Sequence, residues 1–383
     1  MVSRAERSFL ADWWWTIDRW LLASLGMLMV FGLVLTMAGS PPVAERLGLP
    51  TFHFVHRQAV YLAGALCVML MTSLLSPRYV RRGALLIYLI GMALICAALV
   101  FGVEIKGSKR WIFGIQPSEF VKPAFVVLAA WAFSEGARRR DLPGSMFAVL
   151  LLPATIVPLI LQPDFGQTML ISLVWAALFF MAGLHIFWVL GIGGVGMAGV
   201  VAAYKFVPHV RARILKFLEP GTGAGDSFQV NTAVESFVAG GWLGKGPGEG
   251  TVKRILPDSH TDFIFAVTGE EFGIVACLLL AAVFGFIVLR GLALSGRNED
   301  PFCRFAAAGL VMLFGVQSCI NMAVNLHLMP AKGMTLPFIS YGGSSLLSLA
   351  IGMGFLIAVT RKRPLSEIDR PVRIEADGAV SHG

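Results

Sequence analysis

Apolar residues in this chain come in long unbroken blocks, not in the periodic stripes of a soluble helix. Ten blocks fall near residues 20–38, 56–75, 84–103, 119–135, 145–161, 167–183, 187–207, 265–289, 304–325 and 344–360. Runs of about 17–25 apolar residues are what a helix needs to cross the hydrocarbon core of a bilayer. A helix satisfies its own backbone there without a partner strand, so the pattern predicts an all-α, polytopic integral membrane protein of about ten transmembrane helices. The block after Trp20 is too long for the core of a cleaved signal peptide and reads as a retained anchor. Composition agrees: 56% of the 383 residues are hydrophobic and 14% charged, with a mean hydropathy of +0.75.

The polar intervals predict the topology. Arg78, Arg81 and Arg82, then Arg138, Arg139 and Arg140, then Arg290, Arg297 and Arg304, and finally Arg361, Lys362 and Arg363 occupy alternate links. Basic links stay in the cytoplasm, which places both termini there, with Arg4, Arg7 and the interfacial Trp13, Trp14 and Trp15 leading into the first span. Topology thus accounts for most of the +8 net charge, and a nucleic-acid partner is not implied. Residues 1–363 read as one transmembrane domain and 364–383 as a polar, disordered cytoplasmic tail. The five cysteines show no paired spacing and read as small core residues, neither disulfides nor metal ligands.

Departures from the positive-inside rule single out the other face. KGSKRWIFGIQPSEFVK puts Lys106, Lys109, Arg110 and Lys122 outside, where cations kept against the bias suit an anionic ligand. Glu119 and Lys122, spaced i to i+3, could equally pair with each other, leaving Lys109 and Arg110 free. QPDFGQ, Gln162 to Gln167, predicts a turn on the same side, its Asp164 either facing those cations or capping the next helix. The interval of about 208–264, between helices 7 and 8, is too long for a bare connector and reads as a lid or platform, with Phe228 to Gly241 as an interfacial or re-entrant helix. HLMPAKGMTLPFISYGGSS places irregular backbone beside the membrane, with Lys332, Ser340, Tyr341, Ser344 and Ser345 either walling a cavity or forming a tight turn.

LPDSHTDFIFAVTGEE, Leu256 to Glu271, brings acids to the mouth of a span. Asp262 there is either functional or an N-cap of the following helix. Of the seven histidines only His260 adjoins it. No zinc-ligand spacing or GxSxG motif occurs, and Gly244-Lys245-Gly246 lacks the context of a phosphate-binding loop.

Taken together and in order, KGSKRW, QPSEFVK, QPDFGQ, SHTDFIFAVTGEE and AKGMTLPFISYGGSS resemble the SEDS family (shape, elongation, division and sporulation) across nearly the whole chain. KGMTLPFISYGGSS is nearer the family's division members than its elongation members, and the segment between Trp111 and Gln116 is shorter than the family pattern. The resemblance implies a peptidoglycan glycosyltransferase that polymerises lipid II at the outer face of the cytoplasmic membrane, at the division septum. It would work with a class B penicillin-binding protein, an FtsI-like transpeptidase, and other division proteins, among membrane lipids. The family's essential acid falls on Asp262. Arg110, Trp111, Glu119, Lys122 and Asp164 inherit supporting positions, and Arg57 a weaker one.

On this reading Asp262 is the general base, Lys109, Arg110 and Lys122 steady the pyrophosphate, and His260, Lys332 and Ser344 border the substrate. A divalent cation, Mg or Mn, held by Asp262 could share the task. The rival readings are a lipid flippase, which would need ionisable groups at mid-membrane, and a non-catalytic division scaffold.

Overall fold

The computed structural model describes residues 9–105, 108–138, 144–183, 186–206, 211, 215, 226–330 and 333–362. Each of the ten apolar blocks is a helix: α2 (Arg19–Gly39), α4 (His53–Ser73), α5 (Pro77–Phe101), α6 (Pro117–Arg138), α7 (Gly144–Leu161), α8 (Phe165–Met181), α9 (Ile186–Phe206), α11 (Ile264–Gly296), α12 (Pro301–Asn325) and α13 (Gly343–Thr360). Among the described residues three more α-helices flank them: α1 (Phe9–Thr16), α3 (Pro41–Arg46) and α10 (Asp226–Gly240). Among the described residues seven helices, α2, α4, α5, α6, α11, α12 and α13, are long and apolar enough to cross a membrane by length and composition. Arg139, Arg140, Lys106, most of 207–225, Lys332 and the tail lie outside the described residues.

Starts are set by capping chemistry. Asp18 accepts from Leu21 N–H at 2.8 Å to cap α2, and Asp300 accepts from Phe302 N–H at 3.0 Å ahead of Pro301, whose fixed φ and missing N–H suit the first helical position. The all-α expectation misses one detail. Val103–Ile105 (β1) and Ser108–Trp111 (β2) pair antiparallel, and Ile112 and Ile115 close the short segment ahead of Gln116.

Burial sorts the helices. The spans of α6, α12 and α13 are about 70% buried (67%, 72% and 72%), whereas those of α4, α5 and α11 are 28% buried, so the first three form the centre and the others face outward. Small residues permit the close approaches that packing in lipid relies on: a Cβ at Gly291 of α11 would stand 2.5 Å from Val311 Cγ2 of α12.

The helix ends separate two faces of the bundle. At one, Arg290 holds the Asp18 carboxylate (Nη2 to Oδ2, 2.6 Å), and Arg361 Nε and Lys362 N–H donate to the Thr16 hydroxyl and carbonyl at 3.0 and 3.1 Å. Burial is the strongest single influence on the Asp18 carboxylate and works against its charge, but the hydrogen bonds from Arg290 and Leu21 N–H and the charges of Arg290 and Lys362 together outweigh it and leave the pKa below its ordinary value. The opposite face gathers the ends of α2, α7 and α12 with the starts of α4, α6, α8, α11 and α13, and every sequence motif converges on it.

One span departs from its expected form. The helix expected over 265–289 extends to Gly296 and is broken at Gly273, whose φ of +80° is left-handed. Carbonyls freed before the break accept from Lys245 and Gly246 N–H (2.9 and 3.0 Å), and Ile274 and Val275 N–H donate to Gly241 and Trp242 carbonyls (3.0 and 3.2 Å). The loop after α10 therefore replaces the missing helical hydrogen bonds, as a kink in a low-dielectric setting requires.

Candidate functional site

Asp262 is part-exposed in the turn before α11, and its backbone is clamped. Its carbonyl accepts from Asn321 Nδ2 at 2.9 Å and Asn325 Nδ2 at 3.0 Å, both amides fully buried on α12. Asn325 also accepts from Ala266 N–H at 3.1 Å, taking a first-turn donor of α11, while the cap position itself is Phe263, with no side-chain acceptor. Asn321 reaches the Met334 carbonyl at 2.6 Å, which fixes the segment before α13 beside the turn. Asp262 Oδ2 faces that segment, 3.7 Å from where a Cβ on Gly333 would sit.

Two further bonds lock the same junction. Ser340 Oγ donates to the Thr261 carbonyl at 2.5 Å, and Tyr341 N–H donates to the His260 carbonyl at 2.9 Å. The His260 ring packs between Phe54 (4.7 Å) and Tyr341 (5.3 Å). Burial there lowers its pKa to about 4, so the ring is neutral near pH 7. Arg57, exposed one turn into α4, donates to the Tyr61 hydroxyl at 2.9 Å, and Tyr61 lies 6.1 Å from Tyr341. Burial raises the Tyr341 phenol above its ordinary pKa against the opposing pull of Arg57.

A second polar cluster lies at the start of α6. Lys122, 2% exposed, pairs with Glu119 at 2.9 Å and donates to Gln317 Oε1 at 3.0 Å. Gln167 Nε2 donates to Glu119 Oε1 at 2.7 Å, Ser348 Oγ donates to the Glu119 carbonyl at 2.6 Å, and Gln317 Nε2 reaches the Thr335 carbonyl at 3.1 Å. The pairing of Glu119 with Lys122 is therefore the arrangement adopted. Arg110, expected to stay free beside such a pair, does not. Its guanidinium donates to the Gln162 and Pro163 carbonyls (3.2 and 2.5 Å) and lies 3.8 Å from Asp164 Oδ1.

Asp164 accepts from Gln167 N–H at 3.5 Å, so it caps α8 and faces Arg110 at once. Burial raises its pKa despite Arg110, and its Oδ2 is buried without a hydrogen-bond partner. Lys109 is exposed on β2, Trp111 is half-buried, and Ser344 Oγ accepts from Gln116 N–H at 3.3 Å. Lys332 lies outside the described residues.

The two glutamates of LPDSHTDFIFAVTGEE are mechanical. Glu270, fully buried, accepts from the N–H groups of Thr251, Val252 and Lys253 at 2.6, 2.7 and 2.8 Å. Glu271 is ion-paired to buried Lys253, whose ammonium also donates to the Ala38 carbonyl at 3.0 Å. Sequence reasoning passed over Gln317, Asn321 and Asn325. Their signal was an amide at every fourth position of an otherwise apolar span, one line on one face.

Among the described residues no three His, Cys, Asp or Glu side chains group as a metal cage. Asp262 alone suits a cation that takes its other ligands from phosphate oxygens and water, the usual habit of Mg.

These features define a class: a helical membrane protein whose polar chemistry is concentrated where its helices end on one face. The chain belongs to the FtsW/RodA/SpoVE family of cell cycle proteins, whose pattern it matches over residues 19–364. It is 46% identical to the probable peptidoglycan glycosyltransferase FtsW of Caulobacter vibrioides over 94% of each chain, and 35% identical to that of Geobacter sulfurreducens over 90% of this chain and 96% of the relative. Its fold is similar to a chain of a peptidoglycan synthase complex solved to show the structural coordination of polymerization and crosslinking (TM-score 0.75, 26% identity, 90% and 97% covered). It is also similar to the rod shape determining protein RodA of Thermus thermophilus (TM-score 0.67, 25% identity, 91% and 97% covered).

Proposed function

We propose that this protein is a peptidoglycan glycosyltransferase of cell division, polymerising lipid II at the outer face of the cytoplasmic membrane with Asp262 as general base. The observation that carries the reading is the mounting of Asp262. Its backbone is clamped by two buried amides, while its carboxylate faces the segment at Gly333. A reacting group needs that fixed position, because a displacement of about 1 Å can cost 100-fold in rate.

Asp262 takes the proton of the acceptor sugar hydroxyl. The hydroxyl oxygen forms the new bond to the donor's anomeric carbon, and the carbon–oxygen bond to the lipid pyrophosphate breaks, its electron pair leaving with the phosphate. General-base assistance of this kind contributes about 10²–10⁴-fold. A divalent cation on Asp262 would neutralise the departing pyrophosphate. We assign direct contact with that group to Lys109 and Arg57, a reading supported by their exposure, while Arg110 pairs with Asp164 and Lys122 with Glu119. His260, neutral and stacked, orients the turn that carries Asp262.

The basic links place both termini in the cytoplasm. A class B transpeptidase would crosslink the emerging glycan, and a septal location follows from the division role. A flippase would need charge along a path through the bilayer. Here the buried ionic groups at Glu119, Lys122 and Asp164 sit where helices begin, which favours chemistry at one face. The test is polymerisation of lipid II by the purified chain with its transpeptidase partner. Glycan from wild type and none from Asp262→Asn supports the reading, whereas glycan from both removes Asp262 from the reaction.

A further inference from the structure

A cavity of about 330 Å³ lies away from the Asp262 clamp, between the end of α2, α3, the loop at 247–254 and the start of α11. Its size falls within the range of small-ligand sites. Buried Ala38 and Pro42 and the buried Lys253–Glu271 ion pair line its interior, with Pro41 and Phe272 beside them. That interior is rigid. Lys253 is held by its own N–H on Glu270 and by its ammonium on the Ala38 carbonyl.

Two features point to an occupant. First, Val34 and Met37, 44% and 49% exposed, line the cavity from a helix apolar enough to cross a bilayer, so that wall is continuous with lipid-facing surface. Second, exposed side chains of opposite sign, Glu45 and Arg254, line the same cavity, and Glu271 keeps one buried carboxylate oxygen, Oε2, without a hydrogen-bond partner. The interior pair is neutral in itself, so the charge offered to a ligand is one acid and one base.

We propose that this cavity binds a zwitterionic phospholipid of the phosphoethanolamine type. The phosphate meets Arg254, the ammonium meets Glu45, and an acyl chain lies along Val34 and Met37. An anionic headgroup without an ammonium would leave Glu45 facing a like charge, which disfavours it. Because the loop at 247–254 is the one clasped by Glu270 and Glu271, a lipid seated there would brace the segment leading to Asp262.

Photo-crosslinking tests this without reference to glycan synthesis. The full chain is placed in phosphatidylglycerol nanodiscs doped with a diazirine-bearing phosphatidylethanolamine, irradiated, and mapped by peptide mass spectrometry. Labelling is expected on peptides spanning Val34–Glu45 and Pro247–Arg254, and competition by unlabelled phosphatidylethanolamine should exceed that by phosphatidylglycerol. The double variant Glu45→Gln, Arg254→Gln, altered only at exposed positions, should label about fivefold less, the yield of two partly exposed ion pairs. Absence of label at those peptides, equal competition by phosphatidylglycerol, or undiminished labelling of the variant would each overturn the proposal.

Discussion

Glu270 and Asp262 belong to the same short stretch of sequence and carry the same functional group, yet the structure uses them in opposite ways. Glu270 is fully buried and spends its carboxylate on three backbone N–H groups of the loop before it. Asp262 is anchored through its backbone carbonyl by Asn321 and Asn325, and its part-exposed carboxylate faces the segment before α13. The lesson concerns which atoms are bound. An acid whose oxygens take the amides of a loop is a fastener, and an acid positioned through its main-chain carbonyl has its place fixed independently of its carboxylate.

Substitution separates the two most sharply. Asp262→Asn keeps the size and the clamped carbonyl but accepts no proton. Polymerisation should fall about 10²–10⁴-fold while the thermal midpoint in detergent stays at that of wild type. Glu270→Ala strands three N–H groups and should destabilise the loop and the start of α11 by roughly 3 kcal/mol or more, read by thermal melting and by protease cleavage near Gly250. If instead Asp262→Asn melted early and Glu270→Ala did not, the two roles would be reversed.

Smaller effects sharpen the contrast. Gly273→Ala forces a side chain into a left-handed position where its Cβ would stand 2.3 Å from the Trp242 carbonyl oxygen, a cost of about 2 kcal/mol. An unchanged melting point would show that the loop is not seated on the kink. For the second cluster, a double-mutant cycle on Arg110→Gln and Asp164→Asn should give a coupling of about 1 kcal/mol in stability, discounted because Arg110 is partly exposed. Strict additivity would return Arg110 to the pool of ligand cations.

A separate effect is a pH dependence. The folded His260 ring titrates near 4 and an unfolded one near 6.5, so between those values the unfolded chain binds the extra proton. Stability therefore falls as pH drops from 6.5 to about 4 and levels off below. His260→Phe should flatten that slope, and a slope identical to wild type would assign it to another group.

Much of this was legible in advance because each signal was local. Block length foretold the ten helices, and the motif order brought Asp164, Asp262 and the 326–345 segment to one face. The partner of each charge was not legible. Glu119 and Lys122 could have paired or bound a ligand, since i to i+3 spacing permits both, and α12 settles the matter by bringing Gln317 to the ammonium. Arg110 read as free because its acceptors, the Gln162 and Pro163 carbonyls, are main-chain atoms some fifty residues away that no side-chain pattern announces.

The amino-acid sequence by itself determined that this chain is a bundle of apolar helices with its chemistry at one face, because hydrophobic length and the placement of arginines act residue by residue against the membrane. Only the tertiary structure decided which acid fastens a loop and which is positioned through its main chain. That depends on long-range hydrogen bonds, from Asn321 and Asn325 to the Asp262 carbonyl and from the 251–253 amides to Glu270, whose partners meet only once the helices have packed.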